Sequence, residues 1–454
     1  MTAACAPLPE PVAAQQNAAP PATQPAALSR AELIRLAQQV QEEVAELRGW
    51  KFKQPVKTDI YSEAQLRRYI EKRIFEDQLG GGKLEQTEAF LRMVGLLPVD
   101  CDMRKVFLDV LLNQVGGFYD PRARTFYMLQ RSGVDYGPFV NRMLIAHELT
   151  HALDDQYIDL DALEKSRELS EDWSLALGAV VEGSATVLMQ HYWIRQQSSA
   201  DFDPAQIGQI LRSEMQRAEP LLTAPRYFST LLANYLCGMT FIIRGDPATM
   251  VDPRAGPRVG QNVLAAAKHP PLSSEQILHP EKYWDTQQRD EPVVVDDADV
   301  ERWLAAPGRF VVHKNTVGEL LCALLTTPED EPLDLFSAMS PSGWTNDAAR
   351  GWGGDRFFLL AEGRDAAAAA KELKGLRGVW ITLWDTADDR DEFVEDYAEF
   401  RPQRSRAAFK LGRRGTVFFY NFDGTEWAAL RRTLETSPPK FTKGGKVWAV
   451  TQAE

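Results

Sequence analysis

Apolar residues recur at helical spacing through the first two thirds of the chain, then change to short runs typical of strands. Leu33, Leu36, Val40, Val44 and Leu47 follow the capping box Ser29-Arg30-Ala31-Glu32, which predicts a helix starting at Ser29. A short extended piece at 55–61 leads to a second capped helix beginning at Ser62, and two further helical segments fall near 84–94 and 102–115. The run Gly116-Gly117-Phe118-Tyr119-Asp120-Pro121 then reads as a strand entering an Asp-Pro turn, returned by 125–129 as a hairpin. Gly137-Pro138 opens the next helix, with Pro in the first turn where its missing N–H costs nothing. Ser170-Glu171-Asp172 caps a long helix to about Arg195, and mostly helical sequence continues to Tyr283.

From 285 to 300 the chain is acidic and lacks helical periodicity, which predicts a linker. Strands are expected at 310–312, 356–360, 379–384, 407–410, 416–421 and 446–450, with amphipathic helices at 389–400 and 425–436.

Composition narrows the picture. A chain of 454 residues with 44% hydrophobic content has material for more than one core. The net charge of −13 argues against nucleic acid as a partner, because phosphate binding needs clustered Lys and Arg. No apolar run is long enough to span a membrane; the nearest, 228–243, is short and carries Ser229, Thr230 and Asn234. Residues 6–28 are almost entirely Ala, Pro and Gln, too poor in large apolar groups to pack, and are expected to form a disordered tether. Just before them, Thr2-Ala3-Ala4-Cys5 resembles the cleavage box of a bacterial lipoprotein signal, without that signal's charged and apolar regions. A lipidated Cys5 would hold an extracytoplasmic enzyme to a membrane surface. The four cysteines make no disulfide framework, and Cys237 and Cys322 read as small core residues.

The strongest chemical signal is His147-Glu148-Leu149-Thr150-His151. Four residues of helix turn through about 400°, so the two histidines project from one face about 6 Å apart along the axis. Both imidazoles can then reach a single Zn²⁺, while Glu148, about 100° round the helix, stands beside the ion as a general base. Composition makes a chance occurrence rare, at roughly 0.005 per chain. Val140, Met143, Ile145, Ala146, Leu149 and Leu153 make the helix apolar nearly all round, so its polar residues need partners.

A metzincin would place Gly and His three and six residues after the second histidine, where this chain has Asp154 and Tyr157. Asp154 and Asp155 are better placed to orient a histidine than to bind the metal themselves. The best third ligand is Glu182, alone in the otherwise uncharged stretch 175–189; His191 and Glu171 are weaker alternatives. Gly178, Gly183 and Ala185 would let this helix approach the histidine helix closely. Two His and one Glu leave a fourth position open, the catalytic arrangement. The hairpin at 118–129 could supply an edge for a substrate backbone, and Tyr192, Tyr235, His279 or Tyr283 a donor for a developing oxyanion.

The segment His147-Glu-Leu-Thr-His-Ala-Leu-Asp-Asp-Gln156 resembles the signature of a bacterial, gluzincin-like zinc metallopeptidase family, often lipoproteins of unknown substrate. The likeness extends to Gly117-Phe118-Tyr119-Asp120-Pro121, Val181-Glu182-Gly183-Ser184-Ala185, Ser273-Ser274-Glu275-Gln276-Ile277-Leu278-His279-Pro280 and Gly351-Trp352-Gly353-Gly354-Asp355-Arg356. It implies His147, His151 and Glu182 as Zn²⁺ ligands and Glu148 as general base. Ser184 departs from an expected acidic residue.

These readings predict an α+β protein: a tether (1–28), a mainly helical zincin-like catalytic domain (29–284), a linker (285–300) and a smaller α+β accessory domain (301–454). The expected activity is hydrolysis of peptide or protein substrates by a metal-activated water. The competing expectation is a catalytically inactive, zinc-stabilised binding or envelope-assembly lipoprotein.

Overall fold

The computed structural model describes residues 29–130, 137–166, 170–197, 221, 223–329, 331–404 and 407–449. The predicted tether and Cys5 lie outside them. The protein is α+β, with a helical N-terminal part and a β-sheet C-terminal region.

The first helix, Arg30–Arg48, has the expected capping box and ends at Gly49, whose φ of 71° only glycine adopts easily. Strand Lys57–Ser62 runs into a helix capped by Ser62 and Gln65, which passes into one π-type stretch at Glu71–Gln78. The hairpin forms as Gly117–Asp120 and Thr125–Gln130. Its second strand also pairs in parallel with Lys57–Ser62, so Thr125–Gln130 is central and Gly117–Asp120 is an edge.

Two long helices follow, Gly137–Ile158 and Glu171–Gln196, and a third, Thr230–Ile242, packs tightly on the second. Gly183 and Gly238 make that packing possible: a Cβ on Gly183 would stand 2.2 Å from the Gly238 carbonyl carbon. Gly178 likewise faces Asn234. Both glycines therefore serve the Thr230–Ile242 helix, not the histidine helix as expected from the sequence. The small residues of a helix show that something comes close, but not which neighbour does.

The segment 285–300 is not a featureless linker. Val294–Val295 pairs with Lys440–Lys443, and Asp297–Leu304 is a helix capped by Asp296. The helix has only two turns, too few for periodicity to register. Beyond it, five strands order as Arg309–Asn315, Trp352–Glu362, Lys374–Trp384, Gly415–Tyr420 and Ala408–Leu411. This sheet is buried on both faces. Phe357 and Leu359 point into the core shared with the N-terminal helices, while Phe358 and Leu360 join Val300, Leu304, Leu434 and Phe441. Burial on both faces explains why its strands read as continuous apolar runs. Cys237 and Cys322 are buried and free. Among the described residues no helix is long and apolar enough to cross a membrane.

The motifs at 273–280 and 351–356 meet near the start of the Glu171–Gln196 helix in a buried polar joint. Asp355 accepts from the backbone N–H groups of Val317 and Gly318 and from the indoles of Trp352 and Trp380. Asp172 accepts from the Ser274 backbone N–H at 2.7 Å, and Glu319 meets His279 at 2.9 Å. The Gly-rich 351–356 stretch thus organises a strand entry, with every oxygen of Asp355 partnered.

Candidate metal centre

The histidine helix is enclosed by apolar neighbours. Leu33, Val40 and Val44 of the first helix, Phe126 and Met128 of the hairpin, and Leu188 of the Glu171–Gln196 helix pack round Ile145, Ala146 and Leu149. That packing sets His147 and His151 on a face turned toward Glu182. His147 Nε2 lies 3.1 Å from His151 Nε2 and 3.1 Å from Glu182 Oε2, and His151 Nε2 lies 3.5 Å from the same oxygen.

These separations can be tested against an ion. Four donors held tetrahedrally at the usual 2.0–2.1 Å from Zn²⁺ stand about 3.3 Å apart. The three observed distances match that edge, and two imidazole nitrogens with one carboxylate oxygen are a donor set zinc accepts. His147, His151 and Glu182 are one of two groups among the described residues whose ligand atoms lie close enough to hold a metal. The other, Glu275, Asp290 and Asp385, already surrounds the Lys282 ammonium, 2.6 Å from Glu275.

The electrostatics follow from burial. Burial alone would raise the Glu182 carboxyl, but His151 and His147 outweigh it and hold the group well below the carboxylate range. Burial likewise opposes charge on His151, yet the Glu182 carboxylate and its hydrogen bond raise that imidazole. Glu148 is pushed up to about 8, mainly by burial. The edge strand Gly117–Asp120 runs beside it, since a Cβ on Gly117 would stand 3.7 Å from Glu148 Cγ.

Of the four candidate oxyanion donors, the fold brings only Tyr235 to the centre. Its ring stacks on His147 with centroids 5.8 Å apart. The Glu182 charge, then burial, hold the phenol well above its ordinary range. Tyr235 is on the same helix face as Gly238, three residues on, so the glycine contact that clamps the two helices also aims the ring. Tyr192 bonds Glu43, His279 pairs with Glu319, and Tyr283 donates to the His269 carbonyl. The weaker ligand alternatives are also elsewhere: His191 bonds the Thr249 carbonyl and Glu171 accepts from Tyr227.

Asp154 and Asp155 do not hold a histidine by a hydrogen bond in the structure. Asp155 accepts from the Tyr119 hydroxyl at 2.8 Å and the Leu160 N–H at 2.9 Å, tying the hairpin to the histidine helix. Asp154 turns to Arg48, which is fully buried; Nη2 lies 3.0 Å from Asp154 Oδ2 and 2.6 Å from Ser184 Oγ. Ser184 also donates to Asp154. Arg48 therefore joins the first helix to both helices that carry the candidate ligands. Its position in a helix's last turn reads in sequence only as a favourable charge for the helix dipole.

A family model described as "Domain of unknown function (DUF8575)" matches residues 308–436. That span covers the five-stranded sheet and its helices and leaves His147, His151 and Glu182 outside. No curated protein and no solved structure matches the chain.

Proposed function

We propose that this protein is a zinc-dependent metallopeptidase with His147, His151 and Glu182 as ligands and Glu148 as general base. The observation that carries the reading is the convergence of three donor atoms at 3.1, 3.1 and 3.5 Å, the edge lengths of a tetrahedral site. A bound Zn²⁺ would supply the Lewis acidity that makes water nucleophilic near neutral pH and polarises a carbonyl. The chain's own groups do the rest. The edge strand Gly117–Asp120 offers backbone pairing to an extended substrate and sets it beside the Glu148 carboxylate. Glu148 takes the proton of the attacking water and passes it to the leaving amine, for which a carboxyl pushed up to about 8 is suited. Tyr235 is 37% exposed beside His147 and donates its hydroxyl to the oxygen on which charge develops.

Metal analysis and turnover on an unfolded protein substrate test the proposal. One zinc per chain, with hydrolysis abolished in Glu148→Gln but zinc retained, is expected. A protein that takes up no metal, or a Glu182→Ala variant with unchanged zinc affinity, would overturn the ligand set.

A further inference from the structure

The signature stretch does not end with the candidate ligands. Asp155, Gln156 and Tyr157 follow His151 in the last turn of the Gly137–Ile158 helix, and the candidate centre uses none of them. Three consecutive helical residues fan through about 200°, so they meet neighbours on different sides.

Asp155 takes the edge strand. Its seven-residue spacing from Glu148 turns the helix through about 700°, which sets the two carboxyls within about 20° of one face and about 10.5 Å apart along the axis. Gly117 and Tyr119 stand two residues apart in the edge strand and so share one of its faces. The two spacings match. A Cβ on Gly117 would stand 3.7 Å from Glu148 Cγ, and the Tyr119 hydroxyl donates to Asp155 Oδ2 at 2.8 Å. The other carboxylate oxygen accepts the Leu160 N–H at 2.9 Å, which fixes the group at the end of the helix. Burial, then the Asp155 hydrogen bond, hold the Tyr119 phenol well above its ordinary range, so it remains a donor.

Gln156 takes the opposite flank. Its amide oxygen accepts from the Lys53 and Gln54 N–H groups at 2.6 and 3.0 Å, and its Nε2 donates to the Gln54 carbonyl at 3.0 Å. Tyr157 donates to the Lys51 carbonyl at 2.9 Å and stacks on Trp50 with centroids 4.5 Å apart. The segment 50–54 leads into Lys57–Ser62, the other outer strand of the three-stranded sheet. Both flanks of that sheet are thus fastened to one end of the histidine helix.

We propose that Asp155 and Gln156 are positioning residues that register the sheet on the histidine helix, the Tyr119–Asp155 hydrogen bond setting where the edge strand lies relative to Glu148 and the candidate ligands. The proposal rests on the metallopeptidase reading, in which a substrate pairs with that strand. A substrate held by the strand moves with it. Loosening the bond therefore leaves substrate binding intact and misplaces the scissile carbonyl, which lowers kcat and spares KM.

The test uses the full chain in four variants: Tyr119→Phe, Asp155→Asn, the two combined, and Gln156→Ala. Turnover of an unfolded protein substrate gives kcat and KM, and amide hydrogen exchange of the zinc-free protein gives a readout that needs no activity. Tyr119→Phe is expected to lower kcat about 10–100-fold with KM within about twofold and zinc content unchanged. Exchange at 117–120 should quicken about tenfold while the histidine helix keeps its rate. The combined variant should lose no more than Asp155→Asn alone, because both changes remove one contact. Gln156→Ala should quicken exchange at 57–62 in the same way. Wild-type kcat and exchange in Tyr119→Phe overturn the proposal, and so do additive losses in the combined variant. Exchange that quickens evenly over the whole protein, with a lower melting temperature, also overturns it, since the bond would then be a stabilising contact only. If the wild type hydrolyses nothing, the peptidase reading falls, and exchange at 117–120 and 57–62 alone decides the positioning role.

Discussion

Replacing Arg48 by Met removes the guanidinium that holds Asp154 and Ser184, and with them the helices bearing His151 and Glu182. Asp154 is 3% exposed, and without Arg48 its carboxylate keeps only the Ser184 hydroxyl. Breaking a buried ion pair from one side costs about 3–5 kcal/mol. The lower end is expected here, because Arg48 Nε and Nη1 have no hydrogen-bond partner and the native pair already bears a desolvation cost. Asp154 follows His151 by three residues and Ser184 follows Glu182 by two, so loosening this contact should also spread the ligands. Zinc affinity should fall by about 10–100-fold, the usual effect of losing a partner behind the ligands. Denaturant unfolding of the apo protein and zinc competition with a chelator measure the two effects separately. The double variant Arg48→Met, Asp154→Leu tells them apart: it should recover most of the stability, since apolar groups tolerate this site, but not the affinity. A single variant that loses less than about 1 kcal/mol and binds zinc as wild type does would refute the clamp.

Three further outcomes are expected. Gly183→Ala should lower the melting temperature, by about 1–3 kcal/mol of stability, because its Cβ would meet the Gly238 carbonyl carbon at 2.2 Å; an unchanged melt would mean the helices do not pack this way. Asp172 is pushed up to about 7, first by burial and then by its Asp355 and Glu319 neighbours, so the folded state holds a proton that the unfolded chain releases near pH 4. Stability from this group is therefore lost as pH rises from about 4 through about 7, by at most about 4 kcal/mol, and Asp172→Asn should flatten that loss in melts at several pH values. Parallel melts for the two proteins would contradict the assignment. Tyr235→Phe should lower kcat by about 10²–10³-fold with zinc content unchanged, and wild-type turnover would reduce Tyr235 to a packing residue.

The sequence was most legible where the relevant contact is local or the burial cost is plain. The spacing of His147 and His151 is a property of one helix. Glu182 stood out because an uncompensated carboxylate in an apolar helix needs a positive partner, whatever the surrounding fold. The capping boxes at Ser29 and Ser62 close within four residues and formed as expected. The short helix Asp297–Leu304 and the π-type turn at Glu71–Gln78 carry too little pattern to be seen.

What lay beyond sequence reasoning depends on which distant surfaces meet. Four aromatic or imidazole side chains were equal candidates for an oxyanion donor, and of these the fold sets only Tyr235 beside His147, on the helix whose Gly238 packs against Gly183. Arg48 became the partner of Asp154, 106 positions away, because three helices share one dry interior in which a lone charge cannot remain. The candidate centre itself is divided the same way: His147 and His151 come from one helix turn, and Glu182 joins them only because packing brings a second helix alongside.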